Sequence, residues 1–231
     1  MTAPDPIPVA LVGFGYAGET FHAPLIAACP GLRLHTVVSS RPEQVRERWP
    51  QVRVVADLDE ALADVGVELV VIAAPNAEHA PLARRALNAG RAVVVDKPFT
   101  LTLAEAKALA QLAETRGRLL SVFHNRRWDA DFLTLQGLIE ANRLGRIVRF
   151  ESRFNRYRPE VRHRWREADT PGAGVWHDLG PHLIDQALAL FGEPLGVTAD
   201  LAILRPGGKA CDYAHAVLRY RTSASSFMPT C

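Results

Sequence analysis

The chain has 231 residues, of which 48% are hydrophobic and 23% charged, and its formal net charge is +2. These values are typical of a globular protein with one large or two smaller domains, and so small a charge does not indicate binding to nucleic acid or to a membrane surface. The N-terminus lacks the basic and apolar regions of a signal peptide, and no apolar run approaches the roughly 20 residues of a membrane span. Cys29, Cys211 and Cys231 lack metal-ligand spacing. We therefore expect a cytoplasmic protein with reduced thiols and no metal site.

The first half of the chain alternates apolar strands with helices. Strands are predicted at 9–12, 32–40, 52–55, 69–75, 91–98 and 118–123. Helices are predicted at 17–28, from Pro42, after a capping Asp57, at 79–89 before Gly90, and from a Thr102/Glu105 capping box to Arg116. Five or six successive strand–helix units predict an α/β fold with a doubly wound parallel sheet, a Rossmann domain.

The pattern changes after about residue 123. Helices are predicted at 131–142 and 182–191, and strands at 146–154, 196–205 and 212–220. Separate helices and alternating strands are typical of an α+β domain with an open, largely antiparallel sheet. The predicted domains are therefore 1–122 and 123–231.

A glycine motif, Gly13-x-Gly15-x-x-Gly18, joins the first strand to the first helix. In a dinucleotide site, Gly13 permits a tight turn, Gly15 lets the backbone approach a pyrophosphate, and Gly18 lets helix and strand pack closely. The pyrophosphate would lie at the helix N-terminus, where free N–H groups favour anions. The alternative is a turn that needs glycine for structural reasons alone.

The end of the second strand indicates which dinucleotide is bound. NAD sites usually place a carboxylate there, whereas this chain has Ser39, Ser40 and Arg41. Hydroxyls and a guanidinium suit a 2′-phosphate, so NADP is favoured over NAD, unless these residues form only a polar loop before a helix.

Four ordered segments then resemble the Gfo/Idh/MocA oxidoreductases, and among them the NADP-dependent scyllo-inositol dehydrogenase-like branch. They are GFGYAGETFHAPLI, VVIAAPNAEHAPLARRALNAGRAVVVDKPFTLT, VFHNRRWDADFLT and GAGVWHDLGPHLIDQALALFG. The resemblance implies a Rossmann domain followed by a substrate domain whose open sheet often forms a dimer contact. It also implies a nicotinamide cofactor, NADP or NAD, and a small-molecule polyol or sugar substrate.

The resemblance carries three catalytic residues over to this chain. They are Lys97, within DKP where the family more often has EKP, and Asp178 and His182 of DLGPH. Positions i and i+4 of a helix share a face, so Asp178 and His182 could reach one substrate hydroxyl. His182 suits a general base, Lys97 an electrostatic stabiliser and Asp178 an orienting group. Alternatively, Asp178 is only a helix cap and Lys97 a surface residue.

Further site residues are predicted more loosely. Pro75, Asn76 and His79 follow the fourth strand, where ligands bind in such sheets, although His79 could equally be a polar residue at a helix start. The resemblance places Phe14, Asn125 and Arg126 near the cofactor and Trp165 and Arg166 near the substrate, whereas Arg127 could be solvated. The segment 153–167 holds six arginines, but no nucleic-acid recognition motif accompanies them.

The C-terminal residues depart from the family pattern, in which further strands follow. From about Arg221 the sequence predicts neither strand nor helix, and for one choice of codons a one-base shift of reading frame gives a family-like strand. We hypothesise a truncated or frameshifted product, the alternative being a short variant. The predicted function is hydride transfer between a secondary alcohol of a cyclic polyol or sugar and NADP, with homo-oligomers if the second sheet is intact. The alternative is an inactive remnant that binds only nucleotide or a partner.

Overall fold

The computed structural model describes residues 5–220. It divides into two compact units, with the boundary between Phe123 and His124. The hypothesis of a frameshift from about Arg221 falls outside the described residues.

The first unit is built on six parallel strands. They are β1 (Ile7–Val12), β2 (Leu32–Val38), β3 (Arg53–Val55), β4 (Leu69–Ile72), β5 (Ala92–Asp96) and β6 (Leu120–Phe123). Their order in the sheet is β3-β2-β1-β4-β5-β6. The chain runs outward from β1 to β3 and then returns to β4 on the other side of β1. In sheets of this kind ligands bind at such a reversal, outside the carboxyl ends of the strands. The predicted doubly wound sheet is confirmed.

Five helices accompany these strands. They are α1 (Ala23–Ala28), α2 (Pro42–Arg48), α3 (Leu58–Leu62), α4 (His79–Asn88) and α5 (Leu103–Arg116). A wider helical turn, Gly18–His22, leads into α1. Asp57 caps α3 by accepting a hydrogen bond from the Glu60 N–H, and Thr102 and Glu105 cap α5 reciprocally. The capping residues predicted from sequence are therefore confirmed.

The hydrophobic core of the first unit lies on both faces of the sheet. Along β1, Val9 and Leu11 belong to one buried cluster, and Ala10 and Val12 belong to the other. Successive side chains of a strand point to opposite faces, so a continuous apolar run is what a sheet covered on both sides requires.

The second unit contains α6 (Ala130–Glu140), α7 (Val175–Phe191) and an antiparallel pair, β7 (Gly196–Ala202) and β8 (Tyr213–Arg219). Two expectations are corrected here. The helix predicted near 182–191 begins at Val175 and continues through Pro181, although proline has no N–H for the carbonyl four residues earlier. The predicted strand at 146–154 is not observed. Among the described residues of this unit, only β7 and β8 form a sheet, so this segment has no strand partner to satisfy its backbone.

No helix in the described part of the chain is long and apolar enough to cross a membrane.

Candidate functional site

The glycine turn after β1 contains two glycines that the fold itself requires. Gly13 has a φ of +95°, and a Cβ built on it would lie 2.6 Å from the Ala73 carbonyl oxygen. A Cβ built on Gly18 would lie 2.2 Å from the Gly13 carbonyl oxygen. Both distances are too short for any side chain, so these residues account for the tight turn and for the close packing of the helix onto the sheet.

Gly15 is different, because the fold gives no reason for glycine at this position. Its φ is not in the left-handed region, and no atom of the described residues outside its immediate chain neighbours lies within 4 Å of a Cβ built on it. The Gly15 carbonyl accepts a hydrogen bond of 2.8 Å from the Glu19 N–H, so this residue stands at the opening of the helix. A glycine with open space before a helix N-terminus is what close approach of a pyrophosphate to the backbone needs.

The residues after β2 reach across to this turn. The Arg41 N–H donates to Ser39 Oγ at 3.0 Å, and the Arg41 guanidinium donates to the Phe14 carbonyl oxygen at 3.0 Å. The exposed guanidinium of Arg41 is thus held beside the glycine turn, with Ser40 exposed next to it. Phe14 itself has its side chain in the core, so only its backbone is available to a ligand at this turn.

The turn after β4 carries the predicted residues Pro75, Asn76 and His79. Pro75 is exposed, and Asn76 is buried at the start of a short helical turn. His79 is only 1% exposed, and its Nδ1 and Nε2 lie 2.7 Å from the Pro98 carbonyl oxygen and 2.9 Å from the Ala74 carbonyl oxygen. Both ring nitrogens face main-chain oxygens, so the structure does not support a direct contact between His79 and a cofactor.

Lys97 follows β5 and is half-buried. The preceding Asp96 accepts a hydrogen bond from the Lys97 N–H at 2.7 Å, and its other carboxylate oxygen lies 3.7 Å from Nε2 of the buried His22. Burial raises the pKa of the Asp96 carboxyl, but the His22 ring and the Lys97 N–H outweigh burial and hold that pKa below its usual value. Asp96 is therefore an ionised, partly buried carboxylate directly beside Lys97.

Asn125 and Arg126 lie in a short helical turn, Asn125–Trp128, at the start of the second unit. The Arg126 guanidinium donates to Asp129 at 2.8 Å and lies 4.8 Å from the centre of the Phe154 ring. Its charge is already engaged within this unit. Whether Asn125 and Arg126 contact a cofactor therefore stays a prediction.

The predicted substrate residues of the second unit come together around the start of α7. The Arg166 guanidinium lies 4.5 Å from the centre of the Trp165 ring and 3.5 Å from the Asp178 carboxylate. Gly174 precedes the first residue of α7, so Asp178 lies in the first turn of the helix and is not its N-terminal cap. His182 follows one turn later and is buried.

An open cavity of about 1030 Å³ in the second unit is lined by Arg166 and Asp178, together with apolar residues such as Trp176 and Leu179. Arg166 and Asp178 thus present charged groups to a space that a small molecule can enter.

Sequence reasoning missed two buried carboxylates in this unit. Asp185 accepts two hydrogen bonds from the Arg127 guanidinium, at 2.8 and 2.7 Å, so Arg127 is not merely solvated. Asp185 lies two helical turns after Asp178, a spacing that could have placed both on one face. Glu167 accepts hydrogen bonds from the Arg162 N–H and the Arg164 guanidinium. Burial raises the pKa of Glu167, but these donors and Arg205 hold it below its usual value.

Comparison with protein families supports the same division of the chain. A model described as "Oxidoreductase family, NAD-binding Rossmann fold" matches residues 7–124, and one described as "GFO/IDH/MocA C-terminal domain" matches residues 132–229.

Individual relatives give consistent matches. The chain is 55% identical over 216 residues to YdgJ of Escherichia coli K12, described as an uncharacterized oxidoreductase, covering 94% of this chain and 62% of that protein. It is 41% identical over 216 residues to IolW of Bacillus subtilis, an NADP-dependent scyllo-inositol 2-dehydrogenase, covering 94% of this chain and 60% of that protein. The crystal structure of an oxidoreductase from Bacillus cereus superposes with a TM-score of 0.86 at 29% identity, covering 97% of this chain and 64% of that one. The chain thus spans about three fifths of the length of these relatives.

Proposed function

Because the chain belongs to the Gfo/Idh/MocA family of oxidoreductases, we propose that it transfers a hydride between a secondary alcohol of a cyclic polyol or sugar and a nicotinamide cofactor, preferably NADP. The observation that carries this proposal is Gly15, a glycine that the fold does not need and a bound pyrophosphate does. The first unit then holds the cofactor and the second unit holds the substrate.

The preference for NADP rests on Arg41. Its guanidinium is fixed beside the glycine turn by the hydrogen bond to the Phe14 carbonyl, at the strand end where NAD enzymes usually carry a carboxylate. A guanidinium has five donors, so one hydrogen bond to a carbonyl leaves others for a 2′-phosphate. Ser39 and Ser40 add hydroxyls of the kind that phosphate oxygens accept from. The NADP-dependent relative from Bacillus subtilis supports the same choice.

The chemistry proposed for the chain's own residues is proton transfer and charge stabilisation. Bound nicotinamide supplies the hydride acceptor. As hydride leaves the carbinol carbon, the hydroxyl proton must also leave, and His182 takes it as general base. Lys97 donates a hydrogen bond to the same oxygen and stabilises its developing negative charge. Asp178 orients the hydroxyl, and Arg166 holds the Asp178 carboxylate at 3.5 Å.

The substrate class follows from the polarity of the second unit. Arg166 and Asp178 offer donors and acceptors to the cavity, as a molecule with several hydroxyls requires. The relatives named for inositol support a cyclic polyol in particular. The second candidate is a chain that binds nucleotide without turnover, and the observation that favours it is that Gly15 and Arg41, the residues proposed to bind the nucleotide, both lie in the first unit.

The test has two steps on the 231-residue chain. Fluorescence titration should give tighter binding of NADPH than of NADH, and Arg41→Ala should weaken NADPH binding by about 10- to 150-fold, the effect of about 1.5–3 kcal/mol for a charge-assisted hydrogen bond, while leaving NADH binding unchanged. Arg46→Ala is the matched control, because Arg46 is exposed one turn along α2.

Turnover of scyllo- and myo-inositol with NADP is then measured for the parent chain and for Lys97→Ala. Loss of turnover with intact NADPH binding in Lys97→Ala supports the dehydrogenase. Binding without turnover in the parent chain supports the second candidate, and equal binding of NADPH and NADH refutes the role of Arg41.

A further inference from the structure

The main chain on both sides of Lys97 is held by side chains, the partly buried carboxylate of Asp96 and the buried imidazole of His79. On one side, the Lys97 N–H donates to the Asp96 carboxylate. On the other side, the carbonyl of Pro98 lies 2.7 Å from Nδ1 of His79. Two buried histidines therefore act on this three-residue turn, His79 directly and His22 through Asp96.

His79 connects two strand ends. It is the first residue of α4, and its ring lies between the carbonyl that follows β5, at Pro98, and the carbonyl that follows β4, at Ala74. Both carbonyls lie beyond the strand pairing, where a buried acceptor needs a donor from elsewhere. A neutral imidazole carries one N–H, so His79 donates to one of these two oxygens, and an apolar residue at position 79 would fill the same space but leave that oxygen without its donor.

His22 connects the glycine turn to the same place. It ends the helical turn Gly18–His22, it is 3% exposed, and its ring lies 4.5 Å from the ring of Phe123, the last residue of β6. Phe123 is the register partner of Asp96 across β5 and β6. The His22 ring is thus held over the ends of these two strands with Nε2 facing the Asp96 carboxylate.

We propose that His22 and His79 are positioning residues for Lys97, fixing the turn 96–98 from opposite sides so that the lysine ammonium is held in one place. The catalytic use of this placement rests on the proposed function, whereas the placement itself does not. The arrangement also couples Lys97 to the glycine turn through His22 and to the Asn76 turn through His79. Both turns carry residues predicted to bind the cofactor.

The test measures the chemical reactivity of Lys97, so it does not depend on turnover. The chain has three lysines, Lys97, Lys107 and Lys209. Trace acetylation followed by peptide mass spectrometry gives a labelling rate for each, with Lys107 and Lys209 as internal references. Loss of one buried hydrogen bond shifts a local opening equilibrium by about fivefold, so we expect Lys97 to be labelled about fivefold faster in His79→Ala. His22→Ala removes a contact of 3.7 Å with the Asp96 carboxylate, which is longer than a hydrogen bond, and should accelerate Lys97 labelling less, with the reference lysines unchanged in both variants.

Two further variants separate positioning from general stability. His35→Ala is the matched control, because His35 is a partly buried histidine of the same unit whose ring contacts Asp64 at 3.4 Å and Thr36 Oγ1 at 3.5 Å and does not contact the turn 96–98. This variant should leave the Lys97 rate unchanged. His79→Gln keeps a side-chain N–H donor and should restore slow labelling. It also covers the case in which His79→Ala does not fold.

Unchanged Lys97 labelling in folded His79→Ala and His22→Ala overturns the proposal. Acceleration of all three lysines overturns it as well, since the histidines would then support the whole unit and not this turn. Selective acceleration of Lys97 in a chain without dehydrogenase turnover upholds the positioning role and rejects the proposed function. Dehydrogenase turnover in the parent chain, with Lys97 labelling unchanged in both histidine variants, supports the proposed function and rejects the positioning role.

Discussion

Gly15 and Gly18 belong to the same motif, but the structure predicts opposite consequences for adding a single methyl group. In Gly18→Ala the new Cβ would lie 2.2 Å from the Gly13 carbonyl oxygen, which is main chain and cannot rotate away. The helix would have to move off the sheet, and overpacking of this kind costs about 1–3 kcal/mol of unfolding free energy.

In Gly15→Ala the methyl group meets no atom of the described residues within 4 Å, apart from its chain neighbours. The φ at this position suits alanine. The substitution should therefore leave the unfolding free energy unchanged or raise it by up to about 1 kcal/mol, because alanine lowers the conformational entropy of the unfolded chain. If a pyrophosphate approaches the backbone here, the same methyl group overpacks the ligand by about 1–3 kcal/mol, which is about a 5- to 150-fold loss of NADPH affinity.

Urea unfolding followed by circular dichroism, and NADPH titration by fluorescence, check both expectations on the same protein preparations. The reasoning requires a stable Gly15→Ala chain that binds NADPH poorly and a destabilised Gly18→Ala chain. If Gly15→Ala unfolds as easily as Gly18→Ala, Gly15 is a packing residue. If Gly15→Ala is stable and binds NADPH as the parent does, the nucleotide does not lie at this turn.

Two further predictions concern carboxylates, the partly buried Asp96 and the buried Asp185. Because the pKa of Asp96 is lowered in the folded chain, its stabilising contribution is present above the unfolded pKa of about 3.9 and is lost as the pH falls through the folded value. Asp96→Asn should therefore be less stable than the parent at pH 7 by about 1–3 kcal/mol, with the difference shrinking below about pH 4 in urea titrations. A difference that stays constant down to pH 3 would show that the Asp96 charge has no part in it. In the second unit, Arg127→Leu leaves the buried Asp185 without its two short hydrogen bonds and should lower the unfolding free energy by about 1–3 kcal/mol. This is less than the roughly 3–5 kcal/mol lost when a fully buried ion pair is broken, because Arg127 is half exposed. The double variant with Asp185→Leu should recover part of that loss in thermal unfolding, and full additivity of the two substitutions would contradict a direct interaction.

Nearly all of the first unit is predictable from local sequence. Continuous apolar runs separated by capped helices can be buried only as a parallel sheet covered on both faces, and this logic needs no information from distant residues. Asp57, Thr102 and Glu105 cap their helices through contacts within three residues, so local sequence is sufficient to predict them. The glycine motif is likewise predictable from sequence, because a tight turn between strand and helix is a local feature.

Other features depend on contacts between residues far apart in the chain and could not be predicted from local sequence. The segment 146–154 alternates like a strand, but a strand forms only where a partner satisfies its backbone, and none of the described strands pairs with it. The helix predicted at 182–191 begins earlier, at Val175, whose N–H donates to the carbonyl of the distant Cys211. The separate reasons for Gly15 and Gly18, and the burial of His79 between the ends of β4 and β5, follow from distances to atoms of other elements. No local pattern encodes those distances, because packing alone sets them.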